Sequence, residues 1–349
     1  MLIFKRIGRC SPLEKEVSFM RKSLFLGIIF LLLAVCVPVR AQQEGKEILK
    51  SIVKIHSVIP ADAFTASTLG TEREGNGVVI DSKGYILTIG YLIAEAESIE
   101  VMGPEEKPIN ATYVGYDYNT GFGLLKTEKP LNVEPMKLGQ SSELKEGEPV
   151  IVAGYGGGDA IQIARVIGRK EFAGYWEYLL EDAILTAPVY ANFGGAALIG
   201  RDGQLLGIGS LFTQITIPGL ASIACNVFIP IDLLSPILSD LKTIGRSSKP
   251  PRPWLGVNAE EVHGRVFITK VTPDGPAEKA GLKTGDIILA VNKIAVNGLA
   301  DFYRKLWASG AAGVLVPLSI LQGMEIRHVL VNSADRYQFL QLRKPERKI

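Results

Sequence analysis

The chain is poor in the residue types that most often carry chemistry or cross-links, with three cysteines and three histidines in 349 residues. Cys10 and Cys36 fall in an N-terminal leader, so after its removal only Cys225 remains and no intramolecular disulfide can form. Stability must come from a packed core. Cys225 lies in the apolar run Ala221 to Ile229 and reads as a small buried residue, not a nucleophile. His56, His263 and His328 stand far apart, and no metal-ligand spacing occurs, so neither a metal nor another cofactor is expected. No Lys-Ser or Lys-Thr pair follows Gly154-Tyr155-Gly156-Gly157-Gly158, which excludes a phosphate loop and leaves a connection between strands.

Long hydrophobic runs are also lacking. The longest, Leu24 to Val37, is shorter than the ~20 residues of a spanning helix. With Arg21-Lys22 before it and the small residues of Val39-Arg40-Ala41 after it, this run has the form of an export signal. Residues 1–41 are therefore read as an N-terminal extension plus signal peptide, with Met20 as an alternative start. The competing reading is an uncleaved anchor holding the protein to a membrane. A lipoprotein acceptor at Cys36 is disfavoured by the bulk of Val35. Cleavage after Ala41 leaves 31 basic against 34 acidic residues, so the apparent basicity belongs to the leader and no nucleic-acid footprint remains. The mature protein is expected to be exported, periplasmic or extracellular.

What is present points to two β-rich domains. Hydrophobic residues make up 47% of the chain and charged residues 21%, enough for sizeable cores, and 37 Gly with 19 Pro favour many turns. From Ile48 to Phe228 the pattern predicts short strands at Ser51 to His56, Gly77 to Ile80, Tyr85 to Thr88, Ser98 to Met102, Ala111 to Tyr116, Phe122 to Lys126, Pro149 to Gly154, Gln162 to Arg169, Ala196 to Ile199 and Leu205 to Ser210. Such spacing implies antiparallel barrels or a sandwich. Asp81 to Gly84 and Arg201 to Gln204 supply hairpin turns. Ile231 to Ile244 predicts a closing helix, and Ser247 to Pro253 a linker. A second unit from Trp254 reads as strands at Val266 to Val271, Ile287 to Val291, Leu315 to Leu321 and Arg327 to Val331, with helices at Pro276 to Ala280 and Asp301 to Trp307. The basic tail, residues 336–349, is expected to be a solvated end.

Certain stretches carry a family resemblance. Phe228 to Leu234, Arg252-Pro253-Trp254-Leu255-Gly256-Val257, and Pro276 to Ile288 resemble the hinge and PDZ domain of HtrA-type proteases. In the first domain, Gly75 to Ile80 with Gly84 to Thr88, and Gly194-Gly195 with Leu198, Gly203 and Gly207-Ile208, are similar to segments flanking the catalytic residues of that family. The resemblance implies a mainly β chain: a trypsin-like double β-barrel over residues 42–247, a linker at 248–253 and a PDZ domain at 254–335.

That family's chemistry needs a serine activated by a histidine that an aspartate orients. The resemblance places Tyr91 where the histidine belongs, Gly121 where the aspartate belongs and Phe193 where the serine belongs. Tyrosine, with a pKa near ~10, is a poor base at neutral pH, glycine orients nothing and phenylalanine has no attacking atom. The chain is thus expected to be a pseudoprotease without catalytic residues. Asp117 reads as a turn residue of Asp117-Tyr118-Asn119-Thr120, and Thr186, Tyr190 and Ser210 as wall residues. Tyr91 and Phe193 are expected to face one another in a ring contact that closes the cleft, the alternative being that both line a ligand pocket. Ala191, where the family has glycine, bears on an oxyanion-hole turn that calls for positive φ.

By the same resemblance, Trp254, Leu255, Gly256 and Val257 receive a peptide C-terminus, with the helix Asp301 to Trp307 as the opposite wall. The alternative is that Leu255 and Val257 are only core residues. The implied partners are peptide or protein C-termini and, by co-assembly, further copies of the chain or an active homologue, trimers being the family's form. The implied role is that of a chaperone, scaffold or regulator. The rival function is an active endopeptidase of protein quality control.

Overall fold

Alternating burial along short strands closes two barrels. The computed structural model describes residues 45–216 and 222–342, so the leader and the last tail residues lie outside it. Strands β1 (Ile52–Val58), β2 (Glu72–Val79), β3 (Tyr85–Ile89), β4 (Ser98–Met102), β5 (Pro108–Tyr116) and β6 (Phe122–Thr127) form a closed antiparallel barrel in the order β1-β2-β3-β6-β5-β4. β1 alternates as a half-buried strand should, with Ile52, Val53 and Ile55 inside and Lys54 and His56 more exposed. A second closed barrel, β10-β11-β12-β9-β8-β7, is built from β7 (Pro149–Ala153), β8 (Ile161–Gly174), β9 (Tyr178–Ala187), β10 (Ala197–Ile199), β11 (Leu205–Thr216) and β12 (Ser222–Pro230). One buried cluster runs through both, joining Leu87, Phe122 and Leu124 to Tyr178, Leu185 and Ile229.

The sequence pattern missed two of these strands, β9 and β12, and clipped others. β2 begins at Glu72, five residues before the expected start, and β8 runs on to Gly174. The helix expected over Ile231 to Ile244 is split. A 3-10 turn at Ile231–Leu233 is followed by a helix only at Leu238–Ile244, because Pro236 between them lacks the N–H and clashes with a continuous helix.

The second unit is a sheet in the order β13-β14-β15-β17-β18, with β16 beside β15. Its strands are β13 (Val257–Val262), β14 (Arg265–Val271), β15 (Ile287–Val291), β16 (Ile294–Ala295), β17 (Leu315–Gln322) and β18 (Glu325–Asn332). Helical segments among the described residues include α1 (Ala66–Leu69), α2 (Leu238–Ile244), α3 (Pro276–Lys279) and α4 (Leu299–Trp307). In α4 the apolar residues Leu299, Phe302, Tyr303 and Leu306 recur at helical spacing, and this face is buried on the sheet. The same buried cluster takes in Leu179 from β9 of the second barrel.

The described part of the tail is not a solvated end. Arg336–Phe339 forms a 3-10 turn whose Asp335 cap accepts from the Tyr337 amide. Arg336 lies over the Tyr118 ring at 4.0 Å and donates to the Trp176 carbonyl at 2.8 Å. Phe339 meets Trp254 at 4.6 Å between ring centroids, and the Gln341 amide donates to Glu95 at 3.0 Å. Aromatic and cation-π contacts thus outweigh the solvation that a basic composition predicts.

Candidate functional site

β3 delivers Tyr91 on a 3-10 turn, Gly90–Leu92, that is clamped from behind by Arg73. The buried Arg73 guanidinium donates to the carbonyls of Tyr91 at 2.6 Å and Ala94 at 3.2 Å, and to the Thr65 hydroxyl at 2.8 Å. The Tyr91 hydroxyl reaches across to the second barrel and donates to the Ser210 carbonyl at 3.0 Å. Burial pushes its pKa well above that of free tyrosine, so the phenol keeps its proton at neutral pH.

Gly121 leads into β6 with φ +90°, a conformation that L side chains rarely adopt. A Cβ there would lie 3.0 Å from the Tyr178 hydroxyl and 3.1 Å from Ile229 Cδ1. Tyr178 is held by donation to the Thr120 carbonyl at 2.6 Å. A side chain at this position would therefore be crowded by two neighbours. Asp117, four residues earlier, is a turn residue as expected: its carboxylate accepts from the Thr120 amide and hydroxyl at 2.8 Å.

Phe193 sits half-buried between β9 and β10, and its turn is pinned to the first barrel by Asn76. The Asn76 side chain donates to the Asn192 carbonyl at 2.8 Å, and its amide donates to the Gly194 carbonyl at 2.8 Å. Ala191 is absent from the residues with positive φ, so the turn does not take the glycine-dependent form at that position. The expected ring contact between Phe193 and Tyr91 is not among those of the described residues. Instead both line a cavity of about 890 Å³, together with Phe64, Tyr116, Phe172 and Trp254. The alternative, a lined pocket, is the arrangement found.

None of the three histidines lines this cavity. His56 is on β1, His263 in the β13–β14 turn and His328 on β18, 3.0 Å from the Ser319 hydroxyl. The Tyr190 hydroxyl donates to the Ala160 carbonyl at 3.0 Å, Thr186 is buried, and Cys225 is buried with its pKa raised by desolvation. Among the described residues no group of three or more His, Cys, Asp or Glu is placed to hold a metal ion.

The same cavity runs on to the second candidate site, the loop Trp254 to Val257. Gly256 takes φ +80° and turns successive amides to one side, the kind of nest that binds anions. Its occupant was not foreseen. The buried carboxylate of Glu177, from the connection between β8 and β9, accepts from the amides of Leu255 at 3.1 Å, Gly256 at 2.8 Å and Val257 at 3.1 Å. The loop thus both packs Leu255 and Val257 into the core and holds a carboxylate. Around it, the Tyr175 carbonyl accepts from the Ala259 amide at 2.8 Å, and the Tyr303 hydroxyl of α4 donates to the Gly174 carbonyl at 2.7 Å and accepts from the Glu177 amide at 3.2 Å. Arg304 of α4 pairs with Glu171 and Glu181 on the two arms of the hairpin.

Burial pushes the Glu177 carboxyl up to about 6 from an ordinary 4.5, against the pull of the three amides and the Arg336 guanidinium. Since the folded chain binds this proton more tightly than the unfolded chain, the resulting stability is fully present below about 4.5 and is lost as the pH rises through about 6. Wild type should gain about 1 kcal/mol more than Glu177→Gln on going from pH 7 to pH 5. Urea melts of both at the two pH values check this, and an equal pH response would mean that the carboxyl titrates normally.

Known proteins locate this arrangement. A family model described as a trypsin-like peptidase domain matches residues 75–208, and one described as a PDZ domain matches residues 253–332. The chain belongs to the HtrA-type family of trypsin-like, PDZ-containing proteins. Among relatives of this HtrA-type chain, a probable periplasmic serine protease do/HhoA-like of Haemophilus influenzae is 30% identical over 68% of the chain and 53% of the relative. A probable periplasmic serine endoprotease DegP-like of Pseudomonas fluorescens is 32% identical over 73% and 55%. The periplasmic pH-dependent serine endoprotease DegQ of Escherichia coli is 27% identical over 72% and 57%. The chain spans about half the length of the curated relatives it matches. Of solved structures, the HtrA-type protease AlgW with a decapeptide superposes with a TM-score of 0.50 at 21% identity, over 85% of this chain and 97% of that one, a likeness of fold.

Proposed function

We propose that this HtrA-type chain is a non-catalytic, exported member of its family that binds peptide or protein C-termini through its PDZ domain. The observation that carries the reading is the triad itself, with Tyr91, Gly121 and Phe193 at the three positions and the Tyr91 hydroxyl engaged by the Ser210 carbonyl. A proton acceptor, its orienting carboxylate and a nucleophile are each missing, and these groups act as a unit. The PDZ half supports binding: its three loop amides hold a carboxylate. Export to the periplasm is supported by the printed names of the relatives and by the leader sequence.

The rival reading, a working serine endopeptidase, is favoured by the same relatives' names and by the trypsin-like model. Fold alone does not fix function, so one experiment separates the two. The mature chain is expected to leave unfolded casein intact and to take no label from a fluorophosphonate probe. Stoichiometric labelling of a serine, abolished by mutating that serine, would establish the endopeptidase.

A further inference from the structure

The hairpin that fills the PDZ loop follows the register of a ligand. A peptide bound in such a groove places its terminal carboxylate on the loop amides and runs back along the adjoining strand as an added antiparallel strand. Here Glu177 sits on the amides of residues 255–257, and two residues earlier the Tyr175 carbonyl meets the amide of Ala259, two residues further along β13. Stepping back by two on one side and forward by two on the other is antiparallel pairing. The third element of a ligand, an apolar side chain beside the carboxylate, comes from Leu179, which is 5% exposed in the cluster with Leu255, Val257 and Tyr303. In a free C-terminus, carboxylate and side chain belong to one residue; here they are divided between Glu177 and Leu179.

We propose that the β8–β9 hairpin is a built-in ligand of the PDZ groove, and that an external peptide ending in an aliphatic residue with a free carboxylate binds by displacing it. This rests on the reading of the groove as a receptor for C-termini. The hairpin also selects the partner class. An anionic terminus matches three converging amides, and the site vacated by Leu179 suits leucine or valine in place of a charged side chain. While the hairpin is seated, apparent affinity is reduced by the fraction of molecules in which it has left the groove. Displacement also frees Phe172 and Tyr175, which line the cavity shared with Tyr91 and Phe193, so that peptide capture and exposure of the aromatic cleft are coupled.

The test uses the mature full-length chain and short synthetic peptides ending in Leu or Val, each as free acid and as amide. Binding is measured by calorimetry, and amide exchange by mass spectrometry over residues 254–262. Glu177→Ala is expected to speed exchange at residues 255–257 and to tighten free-acid peptide binding roughly tenfold or more, with amidated peptides failing on every variant. Arg304→Ala, which removes only an exposed pairing with Glu171 and Glu181, should give a smaller gain in the same direction and guards against a misfolded Glu177 variant. Equal free-acid affinity for wild type and both variants would overturn the built-in ligand while leaving the groove a peptide receptor. Faster exchange in Glu177→Ala with no binding of any free-acid peptide would overturn the receptor reading itself, and the proposal with it.

Discussion

Tyr91→His, Gly121→Asp and Phe193→Ser introduced together will leave the chain without measurable proteolysis, and Gly121→Asp alone will lower its stability by about 3 kcal/mol. Gly121 combines two obstacles. Its φ of +90° lies outside the comfortable range of an L side chain, and the added Cβ would press on Tyr178 and Ile229 at 3.0 and 3.1 Å. Tyr178 cannot step aside freely, because its hydroxyl is bonded to the Thr120 carbonyl on the neighbouring residue. An aspartate forced in there would arrive displaced, and a triad member out of place is worth little. Tyr91→His also gives up the bond to the Ser210 carbonyl that ties the two barrels across the cleft. Phe193→Ser alone would retain at most the contribution of binding and backbone amides, about 10³–10⁴ over water, below the reach of a casein assay. Turnover by Phe193→Ser alone would show that another group serves as base, and turnover by the triple variant would show that a rebuilt triad reaches working geometry despite the crowding at Gly121. Urea melts of Gly121→Asp give the stability term separately.

The parts of the fold legible from sequence are those with local causes. Hairpin turns at Gly84 and Gly203 take the positive φ that their sequences predict. The helix opposite the PDZ loop is visible in the spacing of Phe302, Tyr303 and Leu306, and starts two residues before the expected Asp301. What stayed hidden depends on partners distant in the chain. β9 is buried at Tyr178, Leu179 and Leu180 and again from Ala183 to Thr186, so it shows no clean alternation, and its Glu181-Asp182 step imitates a turn. Those two acids instead meet Arg304 and Arg169. Glu177 is a lone acid in an aromatic stretch. Its role is set by amides 78 to 80 residues away, and nothing local marks it. Tyr91, Gly121 and Phe193 could be singled out from sequence only because the family resemblance assigns a chemical meaning to those positions. That Tyr91 would bond to the Ser210 carbonyl and line a cavity, in place of a ring contact with Phe193, is a matter of packing that no pattern encodes.

The glycine pair after Phe193 yields the largest expected loss of stability, and with it a physical reason for glycines in a turn that holds no nucleophile. Gly195→Ala is expected to destabilise the chain by about 4 kcal/mol or more, whereas Gly194→Ala should cost about 1 to 2. The difference lies in what each new Cβ meets. At Gly195 it would stand 1.9 Å from the Asn76 carbonyl oxygen and 2.7 Å from the Thr88 hydroxyl, with φ at +72°. The obstacle is backbone, on β2 of the facing barrel, so the two barrels must part for the methyl to fit. Their separation would stretch the Asn76 amide bond to Gly194 and the Asn76 side-chain bond to Asn192, both 2.8 Å. At Gly194 the new Cβ meets the Tyr91 hydroxyl at 2.9 Å, the far end of a side chain that borders the cavity, so the obstacle is one side-chain bond to the Ser210 carbonyl and not the backbone of a strand. Thermal and urea melts of the two variants rank them. Equal costs would mean that the barrels close on one another less tightly than the Asn76–Gly195 approach requires. If the ranking holds, this pair is kept small by the meeting of two barrels, a constraint that operates whether or not residue 193 can attack a peptide bond.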